Sequence, residues 1–257
     1  MTIAVDPPCT FAVSEGYVVL SLNRPARGNA LCSDMVESAL AALDQAVGDG
    51  GVHTLVLRGT GRHFCTGLDL SSLAEETDAS LLARLVRIET LLDALWRLPL
   101  RTVAIGHGRV TGAGADLFVA CDHRLLAGGA ALSFPGARFG IILGTRRLGA
   151  RLGADLAIRT VAEGGGLTAA DALACGLATA PLPQDFDAEQ DAPWLALGTP
   201  AVERVTFAQL RSALDDRASD ADLAALVRSA ARPGLKARIA AYRATIEAGR
   251  SGTSPSR

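Results

Sequence analysis

The chain has 257 residues, 49% hydrophobic and 20% charged, with a formal net charge of −2. That length buries a large core and suits one α/β domain, and the near-neutral charge gives no overall attraction to nucleic acid or to an anionic membrane surface. MTIAVDPPCT at the N-terminus lacks the basic segment and apolar run of a signal peptide, and no stretch reaches the ~18 uninterrupted apolar residues of a membrane span.

In chain order, Thr10–Val13 and Tyr17–Leu22 are short β-rich runs joined at Glu15-Gly16, which reads as a hairpin. Ser33 is expected to cap a helix through Val47, with apolar Met35, Val36, Ala39, Leu40 and Leu43 at helical spacing. His53–Arg58 reads as a strand, and Gly59–Leu68 as a glycine-bearing loop. Ser80–Leu98 is an amphipathic helix that Pro99 stops. Thr102–Ile105 is a buried strand leading into a second glycine-rich loop, with a helix over Gly114–Ala120 and a strand over His123–Leu126. Thr145–Val161 and Thr168–Cys175 read as helices, the second capped by Thr168 and ended by Gly176. This alternation predicts an α/β fold with parallel pairing. After Pro181 the composition shifts: PLPQDFDAEQDAP is a linker, and Val202–Leu214, Ala221–Ala230 and Leu235–Ile246 are amphipathic helices. The expected division is a core over residues 1–183, a helical region over 184–248 and a disordered tail over 249–257.

The five cysteines (Cys9, Cys32, Cys65, Cys121, Cys175) are scattered without a CxxC pair, and the histidines (His53, His63, His107, His123) lack ligand spacing such as HxxxH. The expectation is reduced thiols in a cytoplasmic protein and no metal site.

The chemistry concentrates in two loops. In Ile105–Leu126 a buried strand meets Gly106, Gly108, Gly112 and Gly114 and opens directly onto a helix. Glycines there let a ligand approach the backbone, and free amides at a helix start favour developing negative charge, as on a thioester carbonyl becoming an enolate. Close helix–strand packing explains the same glycines equally well. A dinucleotide fingerprint fails, because Leu117 holds its third glycine position. The loop Gly59–Leu73 also follows a strand and is glycine-bearing, and two such loops side by side are where an open α/β sheet binds ligands.

LNRPARGNAL (Leu22–Leu31), HFCTGLDL (His63–Leu70), GRVTGAGADLFVACD (Gly108–Asp122), GTRRLGARLG (Gly144–Gly153) and LTAADALACGLAT (Leu167–Thr179) together resemble, in order and spacing, blocks of the enoyl-CoA hydratase/isomerase (crotonase) family. The resemblance implies a crotonase-like ββα spiral core with a C-terminal helical assembly region. It also implies an acyl-CoA substrate, with coenzyme A as part of that substrate and no other cofactor, and homotrimers or homohexamers. By motif position it assigns the oxyanion-binding amides to Leu68 and Ala113. It assigns substrate contacts to Arg27, Asn29, Ala30, Leu31, Thr66, Gly67, Asp69, Leu70 and Gly112, with Arg24 and Arg27 as candidates for CoA phosphates.

Hydratases of the family use two glutamates. The first position holds Asp116 here. The second follows the proline of a block resembling FGxPE, where this chain reads LSFPGARFG, with Gly136 after Pro135. No Asp or Glu occurs from Arg124 through Ala154. Adding water to a double bond is easiest with two placed groups, so the expectation is isomerase or hydratase-like chemistry with Asp116 as the only carboxylate. The alternative is an acyl-CoA-binding accessory subunit with little activity of its own. Asp116 has a further reading as a helix cap, His107 as a donor to a loop carbonyl, Asp69 as a loop-stabilising carboxylate, and Cys65 and Cys121 as core thiols.

Overall fold

The computed structural model describes residues 6–164, 166–183, 186–187, 190–214 and 218–251. Its strands are β1 Cys9–Ser14, β2 Tyr17–Leu22, β3 Thr54–Gly59, β4 Arg101–Gly106, β5 Arg109–Thr111, β6 His123–Leu126, β7 Ala131–Ser133, β8 Gly166–Thr168 and β9 Ala180–Pro181. Its helices are α1 Ser33–Gly48, α2 Asp78–Trp96, α3 Ala113–Ala120, α4 Thr145–Leu152, α5 Ala154–Ala162, α6 Ala169–Ala174, α7 Arg204–Leu214, α8 Ser219–Ala230 and α9 Leu235–Ser251.

β1 and β2 form the expected hairpin, with Ser14 opposite Tyr17 and Gly16 turning the chain at φ +82°. From β2 onward the main sheet is parallel, in the order β1-β2-β3-β4-β6-β9. Residues Val103 to Ile105 of β4 are fully buried because both faces of the sheet are covered. One face meets α1, α2 and α3. The other carries Val56, Val103 and Ile105 against Trp194, which a 3-10 turn over Pro193–Leu197 brings in. Arg101 ties that segment down by donating to the carbonyls of Leu197 and Gly198.

Several boundaries differ from the sequence expectation. Ser33 lies inside α1 rather than capping it; Cys32 holds the cap position and makes no side-chain cap bond. α2 begins earlier, because Thr77 and Ser80 form a reciprocal capping box: the Ser80 amide donates to Thr77 Oγ1 at 3.0 Å and the Thr77 amide to Ser80 Oγ at 2.8 Å. The stretch Thr145–Val161 is two helices, split at Gly153, whose φ of 78° and ψ of 156° no helix accommodates. Thr168 does cap α6, in a box with Asp171. A second sheet, β5-β7-β8, was not expected; its strands have three residues each.

In the C-terminal region, Leu226, Ala230, Leu235 and Ile239 pack on Leu73, Leu81, Leu85 and Ile141. α8 and α9 thus cover the chain's own loops. α9 continues to Ser251, into the stretch expected to be disordered, and residues 252–257 lie outside the described ones, as do 1–5 and the linker residues 184–185 and 188–189. Among the described residues no helix is long and apolar enough to cross a membrane.

Candidate active site

The two glycine loops leave adjacent parallel strands, β3 and β4, and are zipped together beyond the sheet. The Cys65 amide donates to Arg109 O at 3.3 Å and the Thr111 amide to Cys65 O at 3.0 Å. On the other flank the Leu31 amide donates to Gly67 O and the Asp69 amide to Leu31 O. The glycines make this approach possible. A Cβ on Gly67, which sits at φ +88°, would lie 2.8 Å from Thr111 O, and one on Gly114 would lie 2.4 Å from Cys65 O. Both distances are shorter than real contacts allow.

Leu68 and Ala113 therefore both line one cavity of about 290 Å³. Ala113 opens α3, where an N–H has no acceptor within its own helix. Among the described residues neither amide donates a hydrogen bond. Thr66, Gly67, Leu70 and Gly112 line the same space. An apolar wall continues it through Leu85, Phe134, Phe139, Ile141, Leu143, Ile239 and Tyr242.

Asp116 is the one carboxylate among the described residues that line this cavity, and it is 5% exposed. The capping role does not apply to it, since Gly112 holds the α3 cap position without a side-chain bond. Its carboxylate rests on the backbone of Gly144 at the start of α4, where a Cβ would fall 2.2 Å from Asp116 Oδ1. Burial pushes the Asp116 carboxyl well above the usual range; the charge of Arg147 opposes that rise and the charge of Glu89 adds to it. Pro135, Gly136 and Ala137 also line the cavity and bring no carboxylate to it.

The remaining candidates separate. Arg27, Asn29, Ala30, Leu31 and Asp69 do not line the cavity. Asn29, at φ 53° and fully buried, accepts from the Arg24 amide and donates to the carbonyls of Thr60 and His63. Its side chain shapes the loop and is spent on it. Arg27 is exposed beside this loop. Arg24 pairs with Asp69 at 2.8 Å and also donates to Ala30 O, so it is engaged within the fold. Asp69 accepts from the Ser71 amide as well, the loop-stabilising arrangement. Burial works against its charge, but those bonds hold it below its ordinary value.

His107 Nε2 lies 2.9 Å from Gly61 O, the bland arrangement, and burial lowers its pKa. His63 sits in a basic corner: burial first, then Arg109 and Arg62, lower its pKa. Cys65 and Cys121 are fully buried thiols pushed up to about 12, which leaves them inert.

Sequence reasoning did not find Arg109, Thr111, Ser133, Thr145 and Tyr242 on the cavity wall. It also missed a buried ion pair between Glu89 of α2 and Arg147 of α4, which are 2% and 1% exposed. One signal was available: Glu89 falls on the stripe of Leu81, Leu85 and Leu92, at the spacing of the buried face of α2.

Comparison with known proteins identifies the family. The family profile described as enoyl-CoA hydratase/isomerase matches residues 12–231. A probable enoyl-CoA hydratase of Bacillus subtilis (strain 168) is 34% identical over 174 residues, 65% of this chain and 66% of that protein. The probable enoyl-CoA hydratase echA6 of Mycobacterium tuberculosis (strain CDC 1551 / Oshkosh) is 36% identical over 168 residues, 64% of this chain and 67% of that one. The matched stretch thus spans about two thirds of these curated relatives. A crystal structure of a candidate enoyl-CoA hydratase/isomerase from Bordetella parapertussis superposes with a TM-score of 0.86 at 37% identity, covering 92% of this chain and 98% of that one.

Proposed function

We propose, for a chain that belongs to the enoyl-CoA hydratase/isomerase family, that this cavity binds an acyl-CoA thioester and moves a proton on it through one carboxylate. The thioester oxygen sits between the amides of Leu68 and Ala113. These donors stabilise charge most when the carbonyl becomes an enolate, so they lower the barrier rather than only tightening binding. Asp116 as a carboxylate takes a proton from the carbon beside the carbonyl, which leaves an enolate between the amides, and the resulting acid returns a proton to a different carbon. That is the bookkeeping of a double-bond isomerisation; a hydratase-like step would draw its proton from water instead. The carrying observation is that, among the described residues, Asp116 is the one carboxylate lining the cavity that Leu68 and Ala113 also line.

The absence of an acid from Arg124 through Ala154 favours a second reading. In it the protein binds acyl-CoA and supports a partner enzyme without efficient turnover. Homotrimers, or hexamers of paired trimers, and a cytoplasmic setting belong to the same proposal. The exposed Val205, Leu210 and Leu214 of α7 support the assembly, and five free cysteines support the setting.

The test is calorimetric titration with crotonyl-CoA and 3-enoyl-CoA, with the conjugated thioester absorbance followed in wild type and Asp116→Asn. Binding with turnover that the variant loses supports the enzyme. Binding without turnover supports the accessory reading, and no binding refutes both.

A further inference from the structure

The short sheet β5-β7-β8 carries a polar track along one wall of the cavity. Side chains alternate along β5, so Arg109 and Thr111 face one way while Val110, fully buried, faces the other. Across the parallel ladder Thr111 stands opposite Ser133 and Arg109 opposite Ala131. Arg109, Thr111 and Ser133 all line the cavity that holds Asp116. Thr111 Oγ1 and Ser133 Oγ lie 3.3 Å apart, within reach of one hydrogen bond. Each hydroxyl has one proton to give and two lone pairs, so that bond leaves one O–H and further lone pairs for a ligand. The Gly112 amide donates to Ser133 O at 2.8 Å, which fixes the pair beside Ala113.

Arg109 continues the track to the exposed mouth. Arg124, Arg147 and Arg238 spend their guanidinium groups on carbonyls or carboxylates of the fold. The Arg109 guanidinium has no hydrogen bond or ion pair among the described residues. Arg62 and His63 join it around an outer pocket whose described lining contains no Asp or Glu. Two residues of a strand span about 7 Å. The hydroxyl pair is thus one such step from Ala113, and Arg109 one step beyond the pair. A chain leaving the oxyanion amides along this wall meets two hydroxyls and then an uncompensated cation. A hydrocarbon laid there would cover the hydroxyls without pairing them, at a cost. A carboxylate is the group that fits, since it accepts from hydroxyls and from the two-pronged guanidinium alike.

We propose that this track selects acyl-CoA thioesters whose acyl group ends in a carboxylate, with Arg109 as its receptor and the Thr111 and Ser133 hydroxyls guiding the chain. The inference rests on the acyl-CoA reading above and names the acyl class. The rival anion is a phosphate of the CoA arm. Every thioester carries that phosphate, whereas only some carry the carboxylate.

The test is titration calorimetry of the full chain with glutaryl-CoA and adipyl-CoA against pentanoyl-CoA and hexanoyl-CoA. At least one dicarboxylic thioester is expected to bind about tenfold or more tighter than its uncharged counterpart of equal carbon number. Arg109→Gln, a change at an exposed position, should bring that ratio to within about threefold of one, and Ser133→Ala should lower it about threefold or more. Equal binding of charged and uncharged thioesters by wild type overturns the proposal and leaves the acyl-CoA reading standing. So does an Arg109→Gln protein that keeps the preference, or one that weakens all four thioesters and free CoA alike, which would put the guanidinium on a phosphate. A Ser133→Ala protein with an unchanged ratio removes the hydroxyls from the proposal. If none of the four thioesters binds, the acyl-CoA reading fails and this inference with it.

Discussion

Gly144 offers the sharpest test of where Asp116 must sit. It stands at φ +66° at the start of α4, and an alanine Cβ there would lie 2.2 Å from Asp116 Oδ1 and 2.5 Å from its Cγ. An ordinary carbon–oxygen contact is about 3.3 Å, so Gly144→Ala displaces the carboxyl by about 1 Å. Misplacement on that scale costs on the order of a hundredfold in rate, equivalent to about 2.7 kcal/mol of barrier. The left-handed backbone adds about 1–2 kcal/mol of strain, which lowers Tm by several degrees in a chain of this size. Gly149 is the internal control. It lies in the same helix with nothing within 4 Å of the added carbon, and Gly149→Ala should raise stability by about 0.5–1 kcal/mol without touching the rate. The assay is kcat and KM on the enoyl-CoA that wild type converts, with a thermal melt of each variant. A Gly144→Ala protein that keeps its kcat within twofold would refute the reasoning, since Asp116 would then tolerate displacement that proton transfer does not.

Other expectations follow from the same site. The raised Asp116 carboxyl keeps its proton in the folded state at pH values where the unfolded chain has released it. The native state therefore binds more protons, and its stability falls as pH rises from about 4 through the folded pKa. Asp116→Asn removes this loss, so denaturant melts should show the variant gaining on wild type by up to about 1.4 kcal/mol per pH unit in that window; parallel pH profiles would contradict the assignment. Ala113→Pro deletes one amide at the first position of α3, where proline is tolerated. It should lower kcat by about 100–1,000-fold at nearly unchanged Tm, and a variant that remains fully active would exclude that amide. Tyr242→Ala removes a ring 5.0 Å from Phe139 on the apolar wall, worth about 0.5–1.5 kcal/mol beyond its buried area. Affinity should fall more for long-chain than for short-chain acyl-CoA in titration calorimetry, and an equal loss for both would place the acyl chain elsewhere.

What could be read in the sequence was whatever its own neighbourhood determines. The β1–β2 turn, α1, α6 and the parallel alternation follow from local spacing, turn residues and a cap. The misses have equally physical causes. Strands of three residues, such as β5, β7 and β8, are too short to display a period. The break at Gly153 lies in a stretch whose apolar spacing continues through it, so only the backbone angle shows the split. Ser33 has the chemistry of a cap, yet the helix starts on it rather than after it. The two glycine loops and Asp116 were visible because they carry dense local motifs. The Glu89–Arg147 pair joins residues 58 positions apart, and nothing in either segment alone names its partner.

With Asp116 as the one carboxylate among the described residues that line the cavity, the proposed reading favours one kind of reaction. A hydration needs one group to take a proton from water while another delivers one to carbon, and a single acid cannot do both at once. An isomerisation asks less. One proton leaves a carbon, an enolate waits between two amides, and one proton returns to a different carbon by way of the same group. The acid must then be neutral when the substrate is in one state and charged when it is in the other. A fully solvated Asp, ionised at neutral pH, would favour the second state too strongly. Burial of Asp116 against Gly144 narrows the gap between the two states. On that argument, one cavity carboxylate fits the proposed isomerisation better than it fits a hydration.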